Sequence, residues 1–112
     1  MRNAQARLNT PWWRLLYAAE GRAKKRGIPF TLTPEWAEAN WTGKCETSGL
    51  DFFISTGVRR GCFSPSIDQI EPKKGYTPEN SRFVLWAINA MKDVGSYEDV
   101  ILIAKAIALK HP

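Results

Sequence analysis

The chain has 112 residues, of which 44% are hydrophobic and 12% aromatic, with five Trp and a formal net charge of +5. That length bounds it to one domain with a modest core, and the aromatic content excludes a disordered chain. No apolar run reaches the roughly 18 residues that a membrane span requires, so a membrane partner is excluded and a cytoplasmic location is expected; MRNAQARLNT also lacks the apolar segment of a secretory signal.

Residues 1–9 read as frayed. Thr10-Pro11 has the form of an N-cap followed by proline at the first helical position. It predicts a helix to about Arg26, stopped by Gly27. Trp12, Leu15 or Leu16, Ala19 and Ala23 recur at helical spacing as its buried stripe. Arg22, Lys24, Lys25 and Arg26 crowd its last turn, where they suit the helix dipole and can also face phosphates. Ile28 to Phe30 is extended. Thr33-Pro34 repeats the cap signal and predicts a short helix from Pro34 to Asn40, with Trp36 turned inward. Lys44 to Ile54 carries a turn signal at Ser48-Gly49 and predicts a hairpin, or a turn leading into a strand.

Residues 55–64 read as a loop with Arg59 and Arg60. Ser66 to Ile70 is a short predicted strand, Glu71 to Glu79 a loop, Asn80 to Leu85 a second strand and Trp86 to about Asp93 a helix. Gly95-Ser96 ends that helix and caps the next, from Tyr97 to about Lys110, with Glu98 and Asp99 in its first turn. Val100, Ile103, Ala104 and Ile107 are predicted to be its core stripe.

The charge is uneven. Residues 1–30 carry seven basic groups against one acid, while the other 82 carry nine against ten. Such asymmetry suggests a polyanionic partner at the N-terminal helix; a solvated face that aids solubility is the alternative. Cys45 and Cys62 do not form a C-x-x-C pair and are expected to be reduced thiols. With His111 as the single histidine, no four-ligand zinc site can be built.

The chemistry concentrates between Ser66 and Lys92. Strand, basic loop, strand and helix carry Asp68, Asn80 and Asn89 in turn. One-metal phosphodiester cleavage needs that order: a carboxylate leaving a strand, an amide clamping the loop, and a polar side chain returning on a helix. The position after Asp68, where a proton acceptor belongs, holds Gln69, which has neither a suitable pKa nor a basic lone pair.

The stretch PSIDQIEPKKGYTPENSRFVLWAINAMK resembles the HNH, or ββα-metal, nuclease core. The resemblance is to a variant frequent among phage proteins, in which a Ser-(Leu/Ile)-Asp-Arg-Ile … Gly-Tyr … Asn … Ala-Asn … Lys pattern remains and the histidines are largely lost. RAKKRGIPFTLT and GKCETSGLDF resemble the basic helix and strand-turn that precede that core, so the likeness covers most of the chain. It implies an α+β fold with a ββα-metal core at about residues 44–93, flanked by a basic N-terminal helix and a C-terminal helix.

The resemblance also assigns roles. Asp68 falls on the metal-binding carboxylate, suited to one divalent cation such as magnesium or manganese. Asn80 falls on the loop-clamping amide, and Asn89 on the metal-ligating position of the helix. Gln69 falls on the position of the catalytic His, leaving a metal-bound hydroxide or a water relayed through Glu71 or Asp68 as activator. Lys92 falls on a basic residue that meets phosphate. Of the family's paired Cys ligands only Cys45 is present, so no structural zinc is expected. The residues also admit other readings. Asp68 can pair with Arg82 or Lys92, Asn89 can hydrogen-bond within the core, and Lys73 and Lys74 can be solvated.

The expected function is metal-dependent cleavage of DNA, most simply double-stranded, with Asp68, Gln69, Asn80 and Asn89 at the chemistry. Arg22, Lys24, Lys25, Arg26, Arg59, Arg60, Lys73, Lys74, Arg82 and Lys92 are expected on the nucleic acid. The alternative is a non-catalytic relative that binds nucleic acid or inhibits a partner.

Overall fold

The computed structural model describes residues 10–54 and 61–112. Among these residues the fold is α+β: a two-stranded antiparallel sheet with four α-helices. Helix α1 (Trp13–Arg26) buries Leu16, Ala19 and Ala23 on one stripe. Small residues there let its backbone approach the sheet. Gly27 ends it at φ +66°, with its N–H on the carbonyls of Ala23 and Lys24; this left-handed conformation is costly for a residue with a Cβ. The start differs from expectation. Trp12 is the N-cap residue and makes no side-chain cap bond, while the Thr10 carbonyl accepts from Trp13 N–H at 3.4 Å. Thr10-Pro11 thus forms a turn ahead of the helix, and the buried Trp12 ring fixes where the helix begins.

Helix α2 (Pro34–Asn40) starts as its sequence predicts, with the Thr33 hydroxyl accepting from Trp36 N–H. Lys44 and Asp51 form one antiparallel bridge around the Gly49 turn, so this region is a tight hairpin turn without a full strand. Residues 1–9, expected to fray, and most of the 55–64 loop lie outside the described residues.

Strand β1 (Pro65–Gln69) pairs with β2 (Ser81–Leu85), placing Ile67 opposite Phe83 and Asp68 opposite Arg82. A single 3-10 turn, Pro78–Asn80, delivers the chain into β2. Helix α3 (Trp86–Asp93) follows β2 without a loop, and α4 (Tyr97–Lys110) follows after Ser96. Ser96 and Asp99 form a reciprocal capping box at the start of α4.

Successive strand residues face opposite sides of a sheet. Ile67 and Phe83 therefore meet α1, while Ser66 and Asp68 face α3. Around Phe83 the core is aromatic: Trp36 stacks on it at 5.2 Å and Trp41 meets it edge-on at 5.1 Å. A second small cluster joins Cys45 to Val84 and Leu85. Burial pushes the Cys45 thiol up, but hydrogen bonds to Ser48, Thr47 and the Leu85 backbone outweigh it and leave the thiol below its ordinary value.

The stripe predicted for α4 is corrected. Val100 is buried, but every residue from 101 to 110 is exposed, Ile103 and Ile107 included. The helix runs past the body it caps, so only its first turn finds a partner.

Candidate nucleic-acid interface

The residues that the sequence singles out converge where β1 meets α3. Asn89 and Lys92 are three apart on α3, hence on one helical face, and that face lies over the Ser66–Asp68 side of β1. The Asn89 amide donates to Ser66 Oγ at 2.8 Å and to the Ile67 carbonyl at 3.3 Å. Lys92, 7% exposed, directs its ammonium to both oxygens of Asp68, at 2.9 and 3.1 Å. The same ammonium donates to the carbonyls of Gln69 and Ile70, the latter at 3.1 Å. From the paired strand, Arg82 Nε reaches Asp68 Oδ2 at 2.9 Å, while its guanidinium lies 4.9 Å from the Tyr97 ring centre.

Asp68 is thus a buried carboxylate, 2% exposed, shared by two cations. This bears on the divalent ion expected there. Both oxygens already accept charged donors, and Lys92 occupies the convergence of carboxylate and backbone carbonyls that a hard cation would take. A second, doubly charged ion would meet the ammonium at contact distance without a free carboxylate to offset it. As arranged, Asp68 and Asn89 do not fit a metal ion. Among the described residues, no three His, Cys, Asp or Glu side chains come together as a ligand set. Two further expectations change with it. Lys92 and Arg82, expected on phosphate, direct their donors inward, because a buried carboxylate needs them more than solvent does.

The loop between the strands is tied at both ends. Asn80 Oδ1 accepts from Glu71 N–H at 2.9 Å, and its Nδ2 donates to the carbonyls of Glu71 at 3.1 Å and Gly75 at 2.8 Å. This is the clamp expected of that amide. Gln69 is engaged in the same loop, where its Oε1 accepts from Gly75 N–H at 2.8 Å. An amide at this position makes a neutral hydrogen bond that holds the loop, a different role from taking a proton. Gly75 sits at φ +103°, and a Cβ there would lie 2.8 Å from the Pro29 carbonyl oxygen. The close approach lets Tyr76 exchange backbone hydrogen bonds with Pro29 and Thr31.

In front of this framework lies a cleft of about 900 Å³, into whose lining Arg22, Arg26, Lys73, Asn89 and Trp86 enter along with Asp68 and Lys92. Four cations line it against two carboxylates, Asp68 and Asp93, and of the four Lys92 already serves Asp68. The uncommitted charge is therefore carried by Arg22, Arg26 and Lys73. Arg22 is held in place: its Nε donates to the Tyr76 hydroxyl at 3.0 Å and its guanidinium lies 5.5 Å from that ring. Lys73 adopts φ +72°, a conformation uncommon outside glycine.

The other basic residues do not gather there. Lys24 and Lys25 are exposed on α1 but do not line the cleft. Lys74 pairs at the surface with Glu71 at 3.1 Å. Arg59 and Arg60 lie outside the described residues. Two contributors escaped the sequence reading: Ser66, which receives the Asn89 amide, and the Tyr76 hydroxyl that anchors Arg22. Strand alternation from Asp68 was a usable signal for Ser66; the Arg22–Tyr76 contact joins residues 54 apart and left none. No family model matches this chain, and no match is found among curated proteins or solved structures.

Proposed function

We propose that this chain is an HNH-like domain that binds the phosphodiester backbone of DNA without hydrolysing it. The consecutive order of β1, β2 and α3 is that of the ββα core the sequence resembles. The observation that carries the reading is the Asp68–Lys92–Arg82 cluster: the carboxylate that would serve a metal serves two internal cations instead. The position of the usual general base is likewise spent on the loop. Arg22, Arg26 and Lys73 remain to meet phosphates, with Lys24 and Lys25 adding field from the end of α1. Backbone contacts of this kind position a protein on a duplex and read little sequence.

Supercoiled plasmid tests the reading. Incubated with magnesium, manganese, nickel or EDTA, it stays supercoiled, while the protein retains it with or without EDTA and releases it as salt rises. A metal-dependent nick that disappears in Asp68→Asn would replace this reading with the second one, a metal-dependent nuclease. One observation favours that second reading: Asp68 and Asn89 open onto the same cleft as the free cations. It requires the Lys92 ammonium to withdraw from Asp68. Retention that ignores salt would remove nucleic acid from both.

A further inference from the structure

Helix α1 has a flank on either side of its buried stripe. One flank gives Arg22 and Arg26 to the cleft. On the other, Trp13, Tyr17 and Glu20 follow at i, i+4 and i+7, hence on one face, and line a separate pocket of about 170 Å³. The chain that returns after Gly27 completes this pocket with Phe30 and Leu32, and it shares no lining residue with the cleft. Leu16 and Leu32 are buried and close its base, whereas Trp13 and Phe30 are half-buried and Tyr17 is 75% exposed. Three rings that keep open surface thus border one small space. Glu20 is the anomaly among them. It is the one acidic residue of the first thirty, against seven basic ones. Among the described residues it makes no ion pair and no side-chain hydrogen bond, not even with Lys24 one turn further on.

We propose that this pocket binds a trimethylammonium group. A carboxylate adds nothing to the binding of an uncharged apolar ligand. Beside aromatic rings it favours a cation, because the negative face of each ring acts in the same sense as the carboxylate charge. Size limits the ligand to a single head group, since pockets for drug-sized molecules begin at roughly 300 Å³. Donor count then chooses among cations. A primary ammonium brings three N–H donors and a guanidinium five. To receive them, the lining side chains among the described residues offer the Glu20 carboxylate and the Tyr17 hydroxyl. A quaternary ammonium brings no donor, so it gives up no hydrogen bond to water on entering, and its methyl groups pack on Leu16 and Leu32. Lys24, on the same face as Glu20, is the like charge that such a ligand meets. The head group has two sources of the same chemistry, a free choline-like molecule or a trimethylated lysine on a partner.

Choline titrated into the isotope-labelled full chain tests this through backbone amide shifts. It moves the signals of Trp13, Tyr17, Glu20 and Phe30 saturably, with millimolar affinity. Dimethylbutanol, which has the same shape without the charge, binds about tenfold more weakly. Tyr17→Ala weakens choline about tenfold and Tyr17→Phe, which keeps the ring, does not. Glu20→Gln weakens it about threefold. Both positions are exposed, so the remaining signals stay in place and a lost response is not lost folding. A peptide carrying trimethyllysine serves as the second probe: tighter binding than choline assigns the group to a partner chain, weaker binding to a free small molecule. The proposal is overturned if choline produces no saturable shift, if dimethylbutanol binds as well as choline, if Tyr17→Ala binds as the parent does, or if the peptide with unmodified lysine matches the trimethylated one.

Discussion

Lys92 is the residue on which most of the candidate site depends. A cation buried against a carboxylate and two carbonyls stabilises the fold only as a complete set, because removing one partner leaves the other buried and unpaired. Lys92→Met keeps most of the volume and removes the charge. It should lower stability by about 3–5 kcal/mol, read as a fall in the urea midpoint at unchanged slope. Asn80→Ala strips three hydrogen bonds from the loop at once and should cost about 3 kcal/mol through the buried groups left unsatisfied. The cysteines supply a test in which two effects compete. The Cys45 thiol is held below its ordinary value by its hydrogen bonds, yet it is 1% exposed, whereas Cys62 is open. Access wins: a thiol reagent should label Cys62 at once and Cys45 only at the rate of unfolding.

At the scale of elements, local chemistry was legible and coverage was not. Thr33-Pro34, Gly27 and Ser96 each announce a helix end through a mechanism confined to a few residues, and each does so in the structure. Ser96→Ala removes the capping box and should lower stability by about 1 kcal/mol, seen as a small drop in thermal midpoint with loss of helical signal. The strand alternation that sends Ile67 inward and Asp68 to the other face was equally readable. Two things were not. Periodicity identifies the apolar face of α4 but cannot say whether anything lies against it, so it assigns Ile103 and Ile107 to a core when they are surface. The sequence offered Asp68 both as a metal ligand and as the partner of Arg82 or Lys92, and the pairing is what the structure shows; with those cations 14 and 24 residues away, no spacing rule chooses between the two roles.

For the whole molecule, the division of charge matters more than its total. Of the cations around the cleft, Lys92 and Arg82 are spent internally, and Arg22, Arg26 and Lys73 are left with Lys24 and Lys25 nearby on α1. If roughly four of these neutralise phosphates on duplex DNA, the logarithm of affinity falls with that of salt at a slope near −3.6, or about a hundredfold between 50 and 200 mM. Fluorescence anisotropy over that range measures it. Arg22→Ala together with Arg26→Ala should lower the slope by about two, whereas Lys92→Met should leave it where it was.

The tethered ammonium has another consequence. A metal in such a pocket is a visitor: it arrives after synthesis, exchanges with the medium, and can be stripped by a chelator. A lysine arrives with the chain. The hairpin and α3 are therefore locked together from the moment the backbone closes, at any concentration of free divalent ion. The thermal midpoint should be indifferent to EDTA and to added magnesium alike, giving this domain a shape that does not report on the ionic state of its surroundings.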